Sequence, residues 1–241
     1  MKYAILYNIF ICWVVAGMGI LIARHILALK NADTGDKTFA LFWLFSAGLW
    51  TFSGFRLLAF HYGYGELDRA LFYVVQIFLA FHLVVGALFL CIKSISNLKA
   101  VYVIFAVASF LSFLFLFFMF FDGIAQTTTT KWASDHEIPR RALIFFMPVY
   151  GFCVVMTVYV IIQRALVGLM RAKLDRRVFF AVLAMLIYEL AGIVDVIGRT
   201  ADYGLLIIRG LYMVSALVAF FSYSWEPSSI RIVTAGESEE K

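Results

Sequence analysis

AVYVIFAVASFLSFLFLFFMFF, residues 100–121, contains no charged side chain. As a helix it rises about 1.5 Å per residue, and roughly 20 such residues cross a hydrocarbon core of about 30 Å. In lipid, any other conformation would leave backbone N–H and C=O groups without partners, so the run predicts a membrane-spanning helix. Its apolar surface continues all the way round, most clearly over FLSFLFLFFMFF at 110–121. Such a helix packs equally well against lipid, pigment or other helices.

Six more stretches of the same kind surround it, at residues 4–29, 38–60, 67–92, 141–162, 178–198 and 205–225. The composition agrees: 64% hydrophobic and only 15% charged residues exclude a water-soluble domain of this size. The expected fold is all-α, an antiparallel bundle of seven transmembrane helices over residues 1–226. A short polar tail, 227–241, begins at the helix-stopping Pro227 and reads as disordered. The first apolar run is too long for a signal-peptide core and lacks a small-x-small cleavage site, so it counts as a helix.

Basic residues fix the expected orientation, because Lys and Arg accumulate in cytoplasmic loops. Arg24, Lys30 and Lys37 flank loop one, Lys93 and Lys99 loop three, and Arg164, Arg171, Lys173, Arg176 and Arg177 loop five. The alternate loops are poorer, with Arg69, then Lys131, Arg140 and Arg141, then Arg199. The N-terminus is therefore expected outside and the C-terminus in the cytoplasm. The net charge of +5 follows from this bias and needs no nucleic-acid partner. Loop five reads as a solvated patch facing lipid headgroups, or as a dock for an acidic partner.

Several chemistries have no support. Cys12, Cys91 and Cys153 lie in or at the end of apolar spans, without metal-ligand or disulfide spacing. No phosphate-binding glycine loop or nucleophile elbow occurs, so no catalytic residues are assigned and an enzyme is not expected. A retinal protein would need a Schiff-base lysine in the last helix, which has only Arg209. Zinc-dependent membrane hydrolases need histidines one turn apart, whereas His25, His61, His82 and His136 are scattered singly. Neither metal nor other cofactor is expected.

What remains is the polar inventory inside the spans, where an ionisable side chain costs about 2.5 to 3.5 kcal/mol and is usually paired or functional. Arg56 falls near the outer end of helix two, with Gln76 roughly 12 Å and Arg209 roughly 9 Å below the outer surface. Glu189 lies near mid-depth and Asp195 in the outer quarter. Tyr188, Gly192, Asp195 and Arg199 recur at i, i+4, i+7 and i+11 and so share one inward face, flanked by Glu189. Two readings stay open. Asp195 pairs with Arg209 or Arg199, and Glu189 with a neighbour, as packing staples. Alternatively Arg56, Gln76, Glu189, Asp195 and Arg209 line an outward-opening ligand cavity between helices two, three, six and seven, with the arginines attracting an anionic group. The long fourth loop, 122–140, is a candidate lid, and its Asp135-His136-Glu137 run is a poor metal motif because adjacent side chains do not converge. Pro148 should kink helix five, which more often shapes packing than makes a hinge.

The run FALFWLFSAGLW at 39–50, after a basic first loop, resembles the start of helix two in the seven-helix N-terminal sensor region of bacterial histidine kinases and diguanylate cyclases. LDRRVFFAVLAMLIYELAGIVD at 174–195 is similar to the same region's basic loop and following helix with its late Asp. The resemblance implies a membrane-embedded sensor or signalling module that detects a ligand or membrane state. Those sensors continue into an output domain, so here the output would be a separate cytoplasmic partner. Two other roles remain: an accessory or structural subunit of an energy-transducing or photosynthetic complex, and a small-solute transporter, which the lack of an internal repeat disfavours. The lipid bilayer and other proteins are the expected partners. Without targeting motifs, a prokaryotic inner (plasma) membrane is the expected location.

Overall fold

The structure is a computed structural model describing residues 2–130, 132–171, 176–197 and 203–224. Seven helices follow one another: α1 (Lys2–Ala28), α2 (Thr34–His61), α3 (Gly65–Ser94), α4 (Leu98–Asp122), α5 (Arg140–Arg171), α6 (Arg176–Ile197) and α7 (Tyr203–Ser224). Each contains a stretch long and apolar enough to cross a membrane. Lys131, Lys173, Arg199 and the 227–241 tail lie outside the described residues.

Helix boundaries differ from the sequence-based ones where capping chemistry outweighs hydropathy. α2 begins four residues early because Asp33 caps it. The Asp36 backbone N–H donates to Asp33 Oδ1 (2.7 Å), and Asp36 Oδ2 accepts from the Asp33 backbone N–H (3.2 Å), a reciprocal capping box. Asn97 starts α4, its side-chain oxygen accepting from the N–H groups of Lys99 and Ala100. α5 runs on to Arg171, past the expected end at 162, so Arg164 and Arg171 stand on a helix and not in a loop. The fourth connection holds a small antiparallel hairpin, β1 (Thr127–Thr129) and β2 (Ser134–His136), with Thr128 opposite Asp135.

The helices do not form a simple seven-membered ring. α1 packs on α2 and α7, α2 on α3, α3 on α5, α5 on α6, and α6 on α7. That ring closes without α4, which rests outside against α3 and α5. Accordingly 61% of the apolar window of α3 is buried but only 22% of that of α4. Phe110, Phe113, Phe117, Phe120 and Phe121 are left exposed, a surface suited to lipid. The core is aromatic along α2, where Phe39, Phe42 and Trp43 are almost wholly buried.

Close helix approach needs small residues, since lipid provides no hydrophobic drive between helices. A Cβ at Gly19 of α1 would meet the Trp43 carbonyl oxygen at 2.9 Å and Ala47 Cβ at 3.2 Å. The same atom at Gly17 would meet nothing within 4 Å. Gly19→Val should therefore destabilise the folded protein by about 1–3 kcal/mol. Gly17→Ala should stay within about 0.5 kcal/mol of the parent. Thermal unfolding in detergent measures both.

Asp33 also binds Lys93 Nζ, at 2.9 and 2.8 Å from its two carboxylate oxygens. Partial burial opposes its ionisation, but the Lys93 hydrogen bonds and the Asp36 N–H outweigh that and hold the carboxyl below its ordinary range. A depressed folded-state value means that the stabilisation is complete above the unfolded pKa of about 3.9 and disappears as pH falls through the lower folded one. Asp33→Asn, which keeps a cap, should thus be less stable than the parent at neutral pH. The difference should close under acid, as denaturation followed against pH would show.

Candidate functional site

The hairpin marks one end of the bundle, and Lys93 the other. On α6, Tyr188, Gly192 and Asp195 share a face, and the structure turns the first two against α2, α5 and α7. Asp195 Oδ2 lies 3.3 Å from Arg209 Nη1 of α7. The Arg209 side chain is only 12% exposed, and its guanidinium carbon sits 4.6 Å from the Trp50 ring centroid and 5.9 Å from that of Tyr212. A desolvated cation between two ring faces gains from their quadrupoles, so the aromatic residues share with Asp195 the task of compensating its charge.

From Trp50 the polar contacts run deeper. Trp50 Nε1–H donates to the Tyr188 hydroxyl (2.8 Å), as does Ser46 Oγ (2.9 Å). Tyr188 stacks edge-on to Tyr212, with centroids 4.8 Å apart. Gly192 leaves room for this cluster: a Cβ there would be 2.6 Å from the Tyr150 hydroxyl and 3.6 Å from that of Tyr212. The Tyr150 hydroxyl donates to the Glu189 backbone carbonyl.

The five residues singled out from sequence are therefore not one contiguous set. Asp195 and Arg209 form a pair. Glu189 is buried and turns toward α5, where Thr157 Oγ1 donates to its Oε1 (3.3 Å), and its Oε2 has no partner. Gln76 is buried on α3, its Oε1 likewise unpartnered. Arg56 belongs to a second cluster beneath the hairpin. Its Nη2 donates to the Ser134 carbonyl (2.8 Å), its Nε lies 3.7 Å from Asp68 Oδ1, and its guanidinium sits 5.6 Å from the Phe72 ring centroid.

Asp68 and His136 are the members of that second cluster that sequence reasoning missed. His136 Nε2 is 3.0 Å from Asp68 Oδ2 and its Nδ1 is 2.9 Å from Thr127 Oγ1, with both ionisable side chains at most 3% exposed. Asn8 of α1 adds a bond from Nδ2 to the Trp132 carbonyl (3.2 Å). The fourth connection is thus tied to α1, α2 and α3. In the sequence, Asp68 reads as an ordinary acidic residue in a first helical turn. Its partner is 68 positions away. Among the described residues no three His, Cys, Asp or Glu side chains converge as a metal cage would require.

A third cluster occupies the Lys93 end. Asp36, 3% exposed, accepts from the Tyr223 hydroxyl (3.0 Å) and lies 3.3 Å from Lys93 Nζ and 3.8 Å from Arg177 Nη1. Ring contacts join it to the Arg209 cluster. Tyr223 stacks on Phe39 (5.6 Å), Phe39 on Phe42 (5.9 Å), and Phe42 meets both His82 (3.9 Å) and Tyr188 (5.9 Å).

Arg209→Met leaves Asp195 without its cation, and Asp195→Asn leaves Arg209 with aromatic faces only. Each should destabilise the fold, and the double variant should cost less than the sum, with a coupling of about 0.5–3 kcal/mol. A double-mutant cycle on unfolding free energies reads that term; simple additivity would show that the pair contributes nothing.

No protein-family model matches the chain, and neither a curated protein nor a solved structure does.

Proposed function

We propose that this chain is an integral membrane sensor or signalling module of a prokaryotic inner membrane. Its N-terminus lies outside, its C-terminus in the cytoplasm, and its output is a separate cytoplasmic partner. The observation that carries this reading is the unbroken run of ring contacts and hydrogen bonds from Arg209 and Trp50, through Tyr188, Phe42 and Phe39, to Tyr223 and Asp36. It links a charge pair in one half of the bundle with a charge cluster at the other end. The basic bias of loops one, three and five assigns the Lys93 end to the cytoplasm.

The ligand would enter beneath the hairpin and bring an anionic group. Arg209 is held by one carboxylate contact of 3.3 Å and two ring faces, and its Nε is buried without a partner. An arriving carboxylate or phosphate would compete with Asp195 for that guanidinium. A ligand moves an equilibrium only by its difference in affinity between two states. Release of Asp195 from Arg209 supplies the difference, because α6 and α7 are then free to shift against α2.

A second reading, an accessory subunit of a larger membrane complex, is favoured by the exposed phenylalanine face of α4. Lipid covers such a face equally well, so the sensor reading takes precedence.

The test is a thermal-shift screen of anionic amphiphiles on the protein in nanodiscs. A binder should raise the melting temperature saturably and bind at least about tenfold more weakly to Arg209→Met, a loss of about 1.4 kcal/mol. Binding should also alter hydrogen exchange over residues 30–37, and Phe42→Leu should weaken that response while binding persists. Isolation from native membranes as a stoichiometric complex, with no ligand response, would instead establish the subunit reading.

A further inference from the structure

At the Lys93 end, a cleft of about 270 Å³ opens between the α3–α4 turn and α5, lined among others by Lys93, Ser94, Ser96, Gln163 and Arg164. Its charge is unbalanced. The Lys93 ammonium is already engaged by Asp33 (2.8 Å) and Asp36 (3.3 Å). Arg164 has no carboxylate partner among the described residues. Its Nη2 donates to the Lys93 carbonyl (2.7 Å), closing one of the free carbonyls at the end of α3 and fixing the plane of the guanidinium.

Two polar atoms in this cleft are buried and unpartnered, Arg164 Nε and Gln163 Oε1. The first is an N–H donor. The second is an amide oxygen; a half-turn of the amide would bring its NH2 group, a donor, to that position. An unmatched guanidinium N–H and a rotatable amide beside Lys93, with the exposed Ser96 hydroxyl at the rim, are complementary to an oxyanion.

The surroundings decide what carries the oxyanion. Arg164 stands on α5 two residues past the expected end of its membrane span at 162. α4 starts beside the cleft with Leu98 and Tyr102 exposed by 66% and 68%, and α5 exposes Tyr159 and Ile162 by 50% and 52%. Apolar surface thus runs from the cleft toward the middle of the membrane, where the chains of a lipid would lie. Basic pockets between membrane helices recognise anionic headgroups through this combination.

We propose that this cleft binds the phosphate of an anionic phospholipid, held by Arg164 and Gln163 with its chains along α4 and α5. The site is separate from the Arg209 cluster and stands whether or not the sensor reading does.

Delipidated protein in zwitterionic detergent is titrated with phosphatidylglycerol, phosphatidylcholine or inorganic phosphate, read by native mass spectrometry and melting temperature. The expected result is one saturable phosphatidylglycerol, with phosphatidylcholine at least about tenfold weaker and Arg164→Gln reducing affinity by a similar factor. Gln163→Leu, which keeps the Arg164 bond to α3, should weaken binding several-fold. Arg141→Gln, on an exposed arginine beside Asp122 at the hairpin end, should leave it unchanged. An equal, Arg164-dependent shift from inorganic phosphate alone would uphold the oxyanion site and assign it to free phosphate. Phosphatidylcholine binding as tightly as phosphatidylglycerol, or phosphatidylglycerol binding undiminished in both cleft variants, would overturn the proposal.

Discussion

Inside a hydrocarbon slab a polar side chain has only protein to bond to, and this bundle is arranged around that constraint. α2 sits at its centre of gravity. It contributes Asp36, Ser46, Trp50 and Arg56, whose partners include residues of α3, α6, α7 and the hairpin. Because these bonds cross to several different elements, α2 cannot rotate about its axis without breaking several at once. The apolar contacts alone would allow that rotation, since greasy faces of similar volume are interchangeable. The polar contacts thus select one arrangement from several of similar packing quality.

The same constraint separates the charges into layers. One lies beneath the hairpin, where Arg56, Asp68 and His136 meet; another is the Asp195 and Arg209 pair; the last is Asp36 with Lys93 and Arg177. Between the second and third lie the Tyr188 hydroxyl, the His82 ring, the Glu189 carboxyl and stacked phenylalanines. Rings are suited to this stretch because they transmit displacement without requiring a polar partner. Close-packed interiors respond to a shifted group by repacking rather than by absorbing it. A displacement at Arg209 therefore has a contiguous run of contacts to Tyr223.

The helices were legible in the sequence because length and hydropathy suffice to define a span. The inward face of α6 was legible as well, since Tyr188, Gly192 and Asp195 follow helical spacing. Other features depend on contacts that no local pattern encodes. Direct packing of α3 on α5, which leaves α4 outside, is one. The buried Asp68 and His136 pair is another, because each residue alone looks like a surface group near a helix start or in a loop. Asp36 was hidden for a related reason. Hydropathy begins the second span at 38, whereas the Asp33 capping box carries the helix back and draws Asp36 into the bundle beside Tyr223. Arg56 and Arg209 share a half of the bundle by depth, but depth along an axis says nothing of azimuth, and the structure gives them different anions.

Where the bundle leaves its polar atoms unmatched is itself informative. The buried orphans among the described residues include Asp68 Oδ1, Ser134 Oγ and Arg209 Nε toward the hairpin, and Gln163 Oε1 and Arg164 Nε toward the opposite end. A donor or acceptor removed from water and left without a bond costs about 1–3 kcal/mol. Three more, Trp43 Nε1, Gln76 Oε1 and Glu189 Oε2, lie deeper in the bundle, whereas those at the two ends sit where water, ions or headgroups can reach them. The stretch built from Phe39, Phe42, Tyr188 and their neighbours thus holds unmatched groups as well, Trp43 Nε1 and Glu189 Oε2. The orphans at the ends are therefore the ones placed to be matched by something other than protein.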